Sequence, residues 1–405
     1  MSEFYLALFV VGAAVVAIAL LDRPIERSPL SAPLLMLLLG IALGPFGLDV
    51  LNPERWGDPY RILEETARLT LAISIMGIAL RLPADFLRRQ WRSLALLLGL
   101  GMPLMCLASA ALSYWLLDVS LLVALLLGAI ITPTDPVVAS TIVTGGVAQR
   151  NLPADTRHTL SVESGANDGL GHPLVMLPLL LLSAPAGHAL NDWLLHALAR
   201  EVGGAVLLGV GLGLAAGHGL RWAERRGNME QSSFLAYTIA LSLLALGVGE
   251  VLQVEPLVAV FVTGVAFDQL VGGRDRAQEE NVQEAVNQFF TLPVFALLGM
   301  MLPWHAWLAL GWPALALAIA ILLLRRLPIL LLLGPGLSAL PERKDVAFVG
   351  WFGPIGVAAL LYAMIALRHT DQPLVWTVTS LIVAASLIVH GVTAAPLAKR
   401  YGRRP

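Results

Sequence analysis

Charge is what this chain has least of. Only 13% of its 405 residues are Asp, Glu, Lys or Arg, about half the share of a soluble domain. That excludes a soluble globular protein with a solvated charged surface, and a nucleic-acid partner is not expected. Cysteine is almost missing as well: Cys106 is the single one and lies in an apolar run, so neither a disulfide nor a cysteine metal site can form within one chain. No nucleophile and base at catalytic spacing and no metal-ligand spacing is visible, which argues against an enzyme and against a bound cofactor. Short-period repeats are lacking too.

What is there is hydrophobic. The apolar share is 57% and the mean hydropathy +0.77, with apolar runs of about 20 residues, the length a helix needs to cross a bilayer core of about 30 Å. The expected fold is therefore an all-α polytopic membrane protein with roughly thirteen spans, at about 3–21, 30–48, 62–80, 93–117, 119–145, 155–183, 193–219, 232–252, 255–270, 284–302, 306–338, 343–367 and 373–398. The first run has no basic residue before it and no small-residue cleavage site, so it is expected to be a retained span. The whole of 1–405 is expected to form one membrane domain, with no soluble regulatory domain. The charged stretch at 268–283 is expected to be a solvated linker.

With thirteen spans the connections alternate sides, and nineteen of the 26 lysines and arginines fall in one set. The other set holds only Arg55, Arg61 and Arg368. By the positive-inside rule the basic side is cytoplasmic, which predicts an inner (plasma) membrane protein with its N-terminus outside and its C-terminus in the cytoplasm. Tryptophans such as Trp91, Trp115, Trp193, Trp304 and Trp307 fall near span ends, where interfacial belts lie.

Two spans are interrupted. Thr132-Pro133-Thr134-Asp135-Pro136 breaks the fifth, and Gly350-Trp351-Phe352-Gly353-Pro354-Ile355-Gly356 breaks the twelfth, which runs in the opposite direction. Paired broken spans of opposite direction are the trace of inverted repeats, with the substrate site where the breaks meet near the midplane.

Between these breaks, Glu163-Ser164-Gly165-Ala166-Asn167-Asp168 puts two carboxylates into a spanning helix. Ionisable groups at that depth are costly and mark ion pathways. Helical spacing sets Ser164 and Asp168 on one stripe and Glu163 and Asn167 on the next. An ionised Asp168 is a hard oxygen ligand for a small cation and its protonated form is not, so cation and proton compete for one site. Ser164 offers a hydroxyl, unless it bonds back to its own helix. Thr134 offers a hydroxyl or a freed carbonyl, as broken helices do in transporters. The expected cation site is thus Asp168, Ser164 and Thr134. Asp135 is expected to offset the positive end of a half-helix rather than to ligate directly. Asn167 cannot titrate and is expected to hold the break or Asp168 by hydrogen bonds. Glu163 needs a partner, and Arg325 and Arg326 are read as the basic residues deep in a span. One of the two, Arg325 ahead of Arg326, is expected to reach Glu163 while the other snorkels or lines the cavity, unless the eleventh span ends early and leaves both arginines at the surface. His172 either tunes the pH response or makes a satisfied hydrogen bond. Glu250 and Glu255 bracket a tight external connection and are expected to face solvent.

Taken in order, Thr134-Asp135-Pro136, Glu163-Ser164, Asn167-Asp168-Gly169, the deep arginine and Gly350-Trp351-Phe352-Gly353-Pro354 resemble the monovalent cation/proton antiporter family, in its bacterial sodium/proton exchanger branch. The resemblance covers nearly the whole chain. It implies a dimerisation part interleaved with a core part holding two crossed, broken helices, a homodimer, and elevator-type alternating access. It implies ion binding at Asp168, with Ser164, the Thr134 backbone, Asp135 and Glu163 nearby. An Asn-Asp pair in this family goes with electroneutral exchange, which Asn167-Asp168 matches. This chain departs from the family at Ile355, where relatives commonly carry a basic residue, and at His172, where they often have a small or apolar one. The implied activity is exchange of Na+, with Li+ or K+ also open, for H+. A K+-selective exchanger and a non-transporting sensor or scaffold of the same fold are the alternatives. A channel lacks a filter-like carbonyl ring or a ring of pore charges.

Overall fold

The computed structural model describes residues 3–21, 24–25, 28, 30–135, 138, 140–143, 146–227, 233–271 and 276–402. Pro136 of the first break and Arg274 and Asp275 of the 268–283 stretch lie outside them. The described residues are helical almost throughout. Large apolar side chains such as Phe9, Leu207, Leu308 and Leu332 stand on the outside, as they do on a surface meant for lipid tails.

Five helices are each long and apolar enough to cross a bilayer: Ala84–Leu117, Ala186–Arg225, Phe234–Leu252, Trp312–Gly336 and Pro373–Gly402. Phe289–Met300 and Trp304–Leu310, bent by 64°, pass together as a sixth. Others among the expected spans are too short or too charged to pass that test. Ala32–Leu43 and Leu121–Ile130 are short apolar helices. Ala154–Ser183 has the length but carries Asp155, Arg157, Glu163 and Asp168.

Boundaries differ from the expected spans for local reasons. The tenth helix runs from Arg276 to Met300, because Ala277, Gln278, Glu279 and Glu280 are good helix formers and continue the span back into the presumed linker. The expected eleventh span of 306–338 is in fact jointed. It comprises Trp304–Leu310, Trp312–Leu324 and Leu327–Leu333. Gly311 makes the first joint at a φ of 64°, and Pro328 makes the second by withholding the N–H that Leu324 would have accepted.

The first broken span opens with Leu121–Ile130, capped by the Ser120 hydroxyl at the Val123 N–H (3.4 Å), and loses helical form at 132–135. Thr132 donates its hydroxyl back to the Gly128 carbonyl (2.6 Å), and Pro133 ends the helix. The second break, 352–356, separates Arg343–Trp351 from Val357–His369. The two interruptions touch, since the Asp135 N–H donates to the Pro354 carbonyl (2.7 Å). Ala154–Ser183 runs past them as one continuous helix and presents Glu163 to Asp168 to the first break.

Candidate functional site

A buried helix break leaves backbone donors and acceptors that must be satisfied, and here charged side chains meet several of them. Arg325 lies at the C-terminus of Leu121–Ile130. Its Nη1 donates to the carbonyls of Ile131 (2.7 Å) and Thr132 (2.8 Å), and its Nη2 donates to Gly353 O across the second break. One guanidinium thus serves the carbonyls of both interruptions, and a cation belongs at the negative end of a helix dipole. Asp135 supplies the opposite charge at the opposite kind of end. Its Oδ2 accepts from the Val357 N–H (2.7 Å), the first of Val357–His369, and its Oδ1 accepts from Val138 (3.3 Å). Gly356 is required at this approach, because a Cβ there would collide with the Asp135 carboxylate.

Asn167 clamps the first break from the long helix. Its Oδ1 accepts from the Thr134 N–H (3.2 Å) and its Nδ2 donates to the Thr134 hydroxyl (2.9 Å). That hydroxyl also lies 3.0 Å from Ser164 Oγ. Thr134, Ser164 and Asn167 therefore form one hydrogen-bonded group beside Asp168.

Glu163 is paired, and its partner corrects the expectation. Arg326, not Arg325, reaches it: Nη1 and Nη2 donate to the two carboxylate oxygens, Nη2 to Oε2 at 2.7 Å, while Arg326 Nε donates to Val349 O (3.0 Å). The joint between Trp312–Leu324 and Leu327–Leu333 is the reason. It falls between the two arginines and turns successive side chains to different neighbours. Both are buried, at 2% and 3% exposure, so neither sits at the surface.

Asp168 has no such partner. It is 0% exposed, and neither carboxylate oxygen meets a hydrogen-bond donor among the described residues. An unpaired carboxylate is among the most costly groups to bury. A proton or a small cation can meet it, and Ser164, one helical turn before it, shares a hydroxyl contact with Thr134 (3.0 Å).

Toward the other end of the long helix, sequence reasoning misplaced one residue and missed several. Glu255, expected in solvent, is 6% exposed. Its carboxylate lies 3.2 Å from His172 Nδ1, and His172 Nε2 is 2.7 Å from Glu201. His172, which the sequence left between two roles, is thus held between two carboxylates. Glu250 does remain half exposed, in an ion pair with Arg68. Arg68, inside Pro59–Arg81, is also paired with the buried Glu64 (2.7 Å), which Arg368 reaches as well. The spacing of Glu64 and Arg68, four apart, was the available signal. At the second break, Ile355 gives its N–H to Ser386 Oγ (2.8 Å), and His390 joins Ser386 (3.0 Å) and the Trp351 carbonyl (3.1 Å). The carbonyl can only accept, so Nε2 carries a proton. Ser386 and His390, four apart on one helix, carried no other mark in the sequence.

A family profile described as sodium/hydrogen exchanger, transmembrane, matches residues 11–400. The chain belongs to this family. Sodium/hydrogen exchangers are transporters, which agrees with a site made of buried ionisable groups at helix breaks. A probable Na+/H+ antiporter of Schizosaccharomyces pombe is 32% identical over 386 residues, covering 88% of this chain and 51% of that protein. This chain therefore spans about half the length of that relative. A second Na+/H+ antiporter of the same yeast is 27% identical, over 96% of this chain and 89% of its own. The K+/H+ antiporter NhaP2 of Shewanella sp. (strain ANA-3) is 25% identical over 96% of this chain and 67% of its own. Among solved structures, the sodium proton antiporter MjNhaP1 of Methanocaldococcus jannaschii aligns with a TM-score of 0.74 at 20% identity, covering 98% of this chain and 97% of that one, a likeness of fold.

Proposed function

We propose that this protein is a secondary antiporter that exchanges a monovalent cation, Na+ first, for H+ at Asp168. The observation that carries this reading is the fully buried Asp168 carboxylate with no hydrogen-bond donor among the described residues, one helical turn from Ser164, whose hydroxyl meets that of Thr134. Either a cation or a proton satisfies it, and the two are mutually exclusive. Asn167 fixes Thr134, Asp135 and Arg325 neutralise the broken helix ends, and Arg326 neutralises Glu163.

The same accounting supports electroneutral exchange. Asn167 does not titrate, Glu163 is bound bidentately by Arg326 and Asp135 caps a helix, so one carboxylate remains to trade one proton for one cation. Asp168, Ser164 and Thr134 are the cation's ligands in this reading, Asp135 and Glu163 shape the field around it, and no other cofactor is required. The arrangement that goes with it is thirteen spans with two crossed broken helices, dimerisation and core parts working as a homodimer by elevator-type movement, in the plasma membrane with the C-terminus cytoplasmic. A relative named a K+/H+ antiporter supports K+ as a second candidate cation.

The test is cation-induced dissipation of an imposed pH gradient in proteoliposomes, with Na+, Li+ and K+ in turn. Wild type is expected to respond, and the apparent KM for the cation to rise as pH falls while the maximal rate holds, because protons occupy the same carboxylate. No response to any of the three cations at acid, neutral or alkaline pH would sink the reading.

A further inference from the structure

Tyr362 is a large, fully buried polar side chain outside the group of ligands, at 1% exposure. It sits on Val357–His369, whose first N–H is held by Asp135, about 7.5 Å further along the same helix. Its hydroxyl donates to the backbone carbonyl of Asp168 and lies 3.4 Å from that of Gly169. That location is a weak point in the long helix. Pro173 has no N–H to give the carbonyl four residues back, which is Gly169, so within the continuous helix that carbonyl lacks its helical donor. Pro173 itself is tied sideways, through its carbonyl to the Trp193 indole N–H (2.7 Å). The ring fits because residue 171 is glycine: a Cβ at Gly171 would stand 2.7 Å from Tyr362 Cε2 and 2.8 Å from Pro133 Cγ.

One rigid helix thus holds the first break at its N-terminus, through Asp135, and the backbone of the unpaired carboxylate at its middle, through Tyr362. We propose that Tyr362 is a positioning residue for the exchange site, fixing the Asp168 backbone at the turn before Pro173 so that its carboxylate faces Ser164 and Thr134. This deepens the reading of Asp168 as the exchanging group and rests on it. Tyr362 would not touch the cation. Its loss would loosen the geometry that the cation needs and leave the translocation machinery intact.

The experiment compares wild type, Tyr362→Phe and Asp168→Asn in the proteoliposome assay, alongside cation-dependent thermal stabilisation of the purified proteins with NaCl and KCl. Tyr362→Phe keeps the ring against Gly171 and removes only the donor. It is expected to raise the apparent KM about three- to tenfold, the worth of one hydrogen bond, with the maximal rate within about twofold of wild type. The salt concentration for half-maximal stabilisation should rise by the same factor. An unchanged KM, or a fall in maximal rate alone, overturns the proposal and would leave the phenol a packing element. If Tyr362→Phe proves too unstable to assay, Gly171→Ala pushes on the same ring and is expected to give the same rise in KM. An unchanged KM there overturns the proposal too. The two failures are distinct: an inert wild type removes the exchanger reading and this inference with it, whereas active wild type, inactive Asp168→Asn and a wild-type-like Tyr362→Phe remove this inference alone.

Discussion

Glu163 and Asp168 lie little more than one turn apart on the same helix, and both are buried, at 1% and 0% exposure. One is gripped by both Nη atoms of Arg326 and the other by nothing among the described residues. Burial alone therefore does not distinguish a paired carboxylate from an unpaired one. The partner does: a bidentate guanidinium holds Glu163 in one place, while in the proposed exchange the unpaired Asp168 takes either a proton or a cation.

The sharpest way to break that contrast is to neutralise each carboxylate in turn. Asp168→Asn is expected to abolish cation-driven proton flux, a fall of at least about 100-fold if this is the exchanging group, with the melting temperature in detergent not lowered, since no ion pair is lost. A mutant that still exchanges would show the two carboxylates to be alike. Glu163→Gln should do the reverse to stability. It leaves Arg326 buried without its counter-ion, a loss of about 3 to 5 kcal/mol, readable as a large drop in melting temperature. Combining Glu163→Gln with Arg326→Met should recover most of it, and failure to recover would mean the pair is not the main contributor.

Smaller effects sharpen the comparison. Ser164→Ala removes one neutral oxygen beside Asp168 and is expected to raise the cation KM by about three- to tenfold, measured as cation-dependent dissipation of the pH gradient. A KM equal to wild type would assign Ser164 only to holding Thr134. Smallest of all, Glu250→Gln breaks the half-exposed pair with Arg68 and should cost no more than about 1 kcal/mol. A drop in melting temperature as large as that of Glu163→Gln would show the outer cluster to be as tightly coupled as the inner one.

The sequence carried a good part of the site because much of it is local. Asn167, Asp168, Ser164 and Glu163 share faces by helical spacing alone, and the two Gly/Pro interruptions are visible as residues that cannot continue a helix. Hydropathy gave the membrane class, although among the described residues only five helices and one bent pair are long and apolar enough to cross a bilayer. Sequence reasoning failed where a partner is remote. Arg325 and Arg326 are equivalent by composition and depth, and only the joint at Pro328 decides that the second reaches Glu163, 163 residues away. Glu255 reads as a loop acid until His172 and Glu201 are folded against it.

What the sequence by itself determined is the membrane class, the family, the two breaks and the stripe that bears Asp168, all consequences of local periodicity and of which side chains a bilayer tolerates. What only the tertiary structure decided is which charge meets which: Arg325 on the carbonyls of both breaks, Arg326 on Glu163, Asp135 on the N-terminus of Val357–His369, Tyr362 on the Asp168 backbone. Those contacts join segments far apart along the chain. Their choice depends on where joints and crossings aim each side chain, a long-range geometry that no stretch of sequence encodes alone.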